Sequence, residues 1–132
     1  MGRQIVIVDD EADIISILSE VLRGEGYDPI PFVNPGRALE HCIATPPALV
    51  MTDLLMPLMS GQELVMRLRE RYGTALPIIV MSASVNIAAV APLPIQAFLS
   101  KPFDLDDLSE LLRRVLAAAP AAIPATVRPP VW

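Results

Sequence analysis

Short, unbroken apolar runs recur along this chain: Ile5–Val8, Ala48–Met51, Pro77–Met81 and Ala97–Leu99, with a weaker run from Ile30 to Val33 that Pro31 interrupts. An unbroken run is what a strand buried on both faces of a parallel sheet requires; a half-solvated strand alternates instead. Pro31 has no N–H to donate, so its strand belongs at a sheet edge. Helical spacing fills the intervals. Ile14, Leu18, Val21 and Leu22 follow an i, i+4, i+7, i+8 pattern that stops near Gly24 and Gly26. Asn34 and Pro35 read as N-cap and first residue of a helix with Leu39, Cys42 and Ile43 inward, ended by Pro46-Pro47. Ser60 and Glu63 form a capping-box pattern that opens a helix running to about Tyr72-Gly73. Asp104 caps a last helix with Leu105, Leu108, Leu112 and Val115 on one face, and Arg113 and Arg114 near the end where the helix dipole favours cations. Between these, Asn86 to Ala91 has room for a turn or two before Pro92 and Pro94.

The order βαβαβαβαβα predicts an α/β protein with a doubly wound five-stranded parallel sheet, and five helices of which the fourth is short or degraded; the strand order expected is the flavodoxin-like one, 2-1-3-4-5. A chain of 132 residues suits one domain. Residues 1–117 are expected to form it, and 118–132 an Ala/Pro-rich tail ending in Trp132. The net charge of −5 argues against a nucleic-acid surface, which would be basic. The single cysteine, Cys42, excludes an intrachain disulfide and suits a cytoplasmic setting. No proline-free, uncharged run reaches membrane-spanning length, so no membrane partner is expected.

The polar residues gather at one recurring place, just past the carboxyl ends of strands. Asp9 and Asp10 follow the first run, Asp53 the third, Ser82 the fourth and Lys101, the sole lysine, the fifth. In an open α/β sheet that edge is where sites form, beside the switch in strand order. Strand order 2-1-3-4-5 makes strands one and three neighbours, so Asp9, Asp10 and Asp53 converge. Three carboxylates in one crevice repel each other unless a cation joins them. Mg²⁺ suits such a site, because it takes one or two carboxylates plus other oxygens and leaves positions for phosphate. Lys101 adds a second positive charge and Ser82 a hydroxyl.

The segment Ile5-Val6-Ile7-Val8-Asp9-Asp10-Glu11, the block Met51-Thr52-Asp53-Leu54-Leu55-Met56-Pro57 with Gly61 beyond it, Met81-Ser82-Ala83, and Lys101-Pro102-Phe103 together resemble the successive motifs of response-regulator receiver domains. The match spans about residues 4 to 117. The resemblance implies that Asp53 accepts a phosphoryl group, and that Asp9 and Asp10, with Asp53 and the backbone carbonyl of Leu55, hold Mg²⁺. Ser82 and Lys101 would contact the phosphoryl group, and Phe98 stands where the family carries its switch aromatic. It implies a sensor histidine kinase or histidine phosphotransfer protein as donor and an unidentified downstream protein as target, with a homodimer left open. Such a chain catalyses only its own phosphorylation and dephosphorylation. The alternatives are a receiver fragment of a larger regulator and a Mg²⁺-dependent phosphatase using Asp53. The phosphatase class wants a second Asp two residues on, where this chain has Leu55.

Two departures bear on function. The apolar Leu55 should hinder an attacking water and slow loss of the phosphoryl group. The Pro-interrupted stretch from Ser82 to Lys101 is short, which suggests that Val85 to Ile95 forms a partner- or tail-docking surface. The Arg67, Arg69, Arg71 series reads as a solvated helix face.

Overall fold

In the computed structural model, residues 2–83 and 92–119 are described. Five strands, β1 (Gln4–Val8), β2 (Asp28–Phe32), β3 (Leu49–Asp53), β4 (Ile78–Ser82) and β5 (Ala97–Ser100), form one sheet in the order β2-β1-β3-β4-β5, all pairs parallel. Four helices are seen among the described residues: α1 (Ala12–Gly24), α2 (Pro35–Ala44), α3 (Gly61–Tyr72) and α4 (Leu105–Ala118). The short helix expected over Asn86 to Ala91 lies outside the described residues, as do residues 85–91 of the expected docking surface and most of the tail.

Each central strand buries both faces because successive side chains point to opposite sides. Val6, Val8, Val50, Ile78 and Val80 pack with Ala38, Cys42, Leu64, Leu68 and Tyr72 of α2 and α3. Ile5, Ile7, Leu49, Met51, Ile79 and Met81 pack on the other side with Leu18 and Leu22 of α1 and Leu108, Leu112 and Leu116 of α4. β2 tolerates two prolines for a geometric reason. Asp28 N donates to Arg3 O and Phe32 O accepts from Asp9 N, so the even positions bond β1 while Pro29 and Pro31 turn to the open edge.

The caps form as the residue types dictate. Asn34 Oδ1 accepts from Gly36 N at 2.8 Å, Ser60 Oγ from Glu63 N at 3.1 Å and Asp104 Oδ1 from Asp106 N at 3.2 Å. Three helix faces sit about one residue round from the expected ones. α1 buries Ile15 and Ser19 where Ile14 and Val21 were expected; α2 buries Ala38 and leaves Ile43 exposed; α4 buries Leu116 and leaves Leu105 exposed. In each case the stripe is wide enough that only the angle of the helix on the sheet selects its centre.

A larger correction concerns Arg69, which is 1% exposed. A residue two positions on lies about 200° round a helix, so Arg69 faces away from Arg67 and Arg71. It shares a side with Val65 and Tyr72, at i−4 and i+3, and that side packs on the sheet.

Candidate functional site

β1 and β3 are adjacent, with Val8 opposite Thr52. Asp9 and Asp10 therefore leave β1 beside Asp53, the last residue of β3. One carboxylate oxygen from each of the three lies within 4.8 Å of the others. Asp9 is fully buried: its Oδ1 accepts from Glu11 N at 2.9 Å and its Oδ2 from Lys101 Nζ at 2.6 Å. Lys101 Nζ also stands 3.5 Å from Asp53 Oδ2. Asp53 Oδ1 accepts from Leu54 N at 2.8 Å. The two oxygens of Asp53 are thus inequivalent: one is tied to its own backbone, the other faces the lysine and the crevice. Asp10 is exposed at the mouth.

The electrostatics follow from burial. Desolvation raises the Asp53 carboxyl above its ordinary range; the Asp9 charge adds to this, while the Lys101 charge and the Leu54 N–H oppose it. Burial alone would lower the Lys101 ammonium, but its bond to Asp9 and the charges of Asp9, Asp53 and Glu11 outweigh that and raise it. Every carboxylate oxygen here is a hard donor, and one lysine balances only part of the negative charge. A small divalent cation fits that donor set.

Ser82 ends β4 and is buried, and its carbonyl accepts from Lys101 N at 2.9 Å. The Lys101–Pro102 peptide bond is cis. Leu55, two residues past Asp53, is 66% exposed in the β3–α3 loop. That loop is drawn close by Gly61, whose N donates to Leu54 O at 2.8 Å; a Cβ there would meet Asp53 O at 2.2 Å. Phe98, opposite Val80 on β5, is half-buried against the core beneath α2 and α3, away from the carboxylates. An apolar groove of about 370 Å³ opens beside Lys101, lined by Ile14, Ile17, Ala83, Pro102, Phe103 and Leu105 among others. Periodicity offered no signal for this groove, because its walls come from α1 and the β5–α4 loop.

A doubly wound parallel sheet with carboxylates and one lysine meeting at its switch point defines an α/β protein whose acidic cluster could hold a metal ion. The chain belongs to the response regulator receiver domain family, whose family model matches residues 5–113. It is 35% identical over 121 residues to the DNA-binding transcriptional regulator NtrC of Escherichia coli K12, covering 89% of this chain and 26% of that protein. The chain thus spans about a quarter of the length of that relative. It is 29% identical to sporulation initiation phosphotransferase F of Bacillus subtilis, covering 88% of this chain and 95% of that one. Among solved structures, the receiver domain of a sensor histidine kinase from Pseudomonas aeruginosa, with magnesium coordinated in its active site cleft, superposes with a TM-score of 0.82 at 20% identity, covering 89% of this chain and all (100%) of that chain. The response regulator TrrA of Thermotoga maritima, in complex with Mg²⁺ and BeF, superposes with a TM-score of 0.79 at 28% identity over 86% of this chain and 98% of that one.

Proposed function

We propose that this receiver domain takes a phosphoryl group from a phosphohistidine onto Asp53 Oδ2 and changes its affinity for a partner protein as a result. The observation that carries this reading is Lys101 Nζ set between Asp9 and Asp53 beside three converging carboxylates. Asp53 Oδ1 is already engaged by Leu54 N, which leaves Oδ2 as the nucleophile. The O–P bond forms there as the P–N bond of the donor imidazole breaks; the ring, protonated beforehand on its other nitrogen, keeps the P–N electron pair and leaves as neutral imidazole. Lys101 moves from an Asp9–Asp53 bridge toward the new phosphoryl oxygens, and the Ser82 hydroxyl donates to another. Asp9, Asp10, Asp53 and the Leu55 carbonyl would hold Mg²⁺, which when bound neutralises carboxylate and phosphoryl charge. Phe98 would turn inward as Ser82 moves toward the phosphoryl group. The chain's own chemistry ends with gain and loss of this group, so it acts as a signalling protein and not as an enzyme on other substrates.

Receiver domains of two-component systems work with histidine kinases, and the groove beside Lys101 supports docking of a kinase or a phosphotransfer protein here. Its walls are apolar, and the exposed Ile17 and Leu105 flank the path to Asp53. No helix among the described residues is long and apolar enough to cross a membrane, which suits action in the cytoplasm. Incubation with acetyl phosphate and Mg²⁺, followed by intact mass, tests the reading: one added phosphoryl group is expected. A chain that stays at its starting mass, with metal bound, would rule the reading out.

A further inference from the structure

One buried charge plays no part in the chemistry above. The Arg69 guanidinium donates from Nε to Pro94 O at 2.7 Å, from Nη1 to Gly73 O at 2.8 Å and Leu76 O at 2.7 Å, and from Nη2 to Gln96 Oε1 at 2.9 Å. All four acceptors are neutral oxygens, and burial draws its pKa down to about 10. A desolvated cation without a counter-charge is costly, so these charge-assisted bonds are what keep it in place. They join two connections of the chain. Gly73 and Leu76 lie between α3 and β4; Pro94 and Gln96 lead into β5.

Gln96 is the pivot. Its N donates to Ile78 O at 2.9 Å, and its Oε1 accepts from Ile78 N at 2.7 Å as well as from Arg69. Arg69 therefore holds the first rung of β5 on β4. β5 needs such an anchor. It is four residues long, lies at the sheet edge and is only half-buried, whereas all of β4 is buried. Its last rung is Lys101 N on Ser82 O, and the next atoms along are those that reach Asp9.

We propose that Arg69 is a positioning residue: through Pro94 and Gln96 it seats β5 on β4 and so delivers Lys101 Nζ to Asp9 and Asp53. The functional half rests on the phosphoacceptor reading of Asp53; the seating half does not. Residue-resolved hydrogen exchange on the full chain and on Arg69→Met tests it. The Gln96 and Lys101 amides should exchange at least about tenfold faster relative to amides of β1 and β3, the size expected from losing one hydrogen bond to a charged group. Affinity for Mg²⁺ alone should not fall, since Asp9, Asp10 and Asp53 stay at the ends of β1 and β3 and lose only a competing ammonium, while labelling by acetyl phosphate slows roughly tenfold. Equal acceleration across the whole sheet, or unchanged Gln96 and Lys101 amides, would overturn the proposal. Gln96→Met, which removes one acceptor and leaves three, covers the case in which Arg69→Met does not fold. A smaller acceleration confined to β5 supports the seating, and a uniform one sinks it. A wild-type chain that takes no phosphoryl group defeats the functional half, and the exchange comparison still decides the seating.

Discussion

The sheet buries charge at both of its ends, and the two ends do it differently. At the carboxyl end, Asp9, Asp53 and Lys101 answer charge with charge, and Asp10 opens the cluster to solvent. At the amino end, Arg69 is surrounded by carbonyl and amide oxygens, with no ion among its four acceptors. Ions held by other ions can exchange partners when a new charge arrives. An ion held by backbone carbonyls cannot change partners without moving the backbone. The first arrangement suits a site that must respond, the second a joint that must stay still. The contrast explains how one short edge strand can be firm at Gln96 and still lead to an ammonium, at Lys101, whose partners are other charges.

The strongest test of the responsive end is Asp53→Asn, which should abolish acetyl phosphate labelling altogether by intact mass. Next in size is the stability cost of losing either cation. Arg69→Met should lose about 3–5 kcal/mol by urea unfolding, and Lys101→Met about 2–4 kcal/mol, since each strands desolvated partners. The two should part company when metal is added. Mg²⁺ should stabilise Lys101→Met by more than it stabilises wild type, because a cation then replaces the missing ammonium, and should stabilise Arg69→Met by an intermediate amount, because there the ammonium is displaced but still present. Equal increments in both variants would erase the distinction drawn above.

A smaller effect follows from the raised carboxyl of Asp53. A group whose folded-state pKa lies above its unfolded value supports the fold at low pH and loses that support as pH rises through the folded value. Without metal, Asp53→Asn should therefore melt higher than wild type near neutrality. The gap should close in acid, where Asp53 is protonated in both states. Smallest is Leu55→Asn, which should speed loss of the phosphoryl group only a few-fold, followed as decay of the labelled mass. The effect should be small because Leu55 is exposed at the loop surface.

Much of this was readable in advance because it depends on local physics. Runs such as Ile5–Val8 and Pro77–Met81 marked strands buried on both faces, and Asn34, Ser60 and Asp104 marked helix starts by the donors they satisfy. Pro31 marked an edge. Asp9, Asp10, Asp53 and Lys101 were predicted to meet from strand order alone, although Lys101 and Asp9 stand 92 positions apart. The misjudged residues were those whose surroundings come from another element. Ile43 and Leu105 read as core and are exposed, because the tilt of each helix chooses which edge of an apolar stripe is covered. Arg69 read as solvated because its charge outweighed its position opposite Arg67 and Arg71.

Pattern and residue type alone determined the alternation of strands and helices, the doubly wound parallel sheet and the placing of the acidic and basic groups at the carboxyl ends of strands. These follow from periodicity, turn chemistry and the short list of ways to wind a parallel sheet. Tertiary structure alone decided which oxygen of Asp53 faces Lys101, how Lys101 divides itself between two carboxylates and why Arg69 is inside. Those depend on distances between segments far apart in the chain, where a shift of about 1 Å makes or breaks a hydrogen bond.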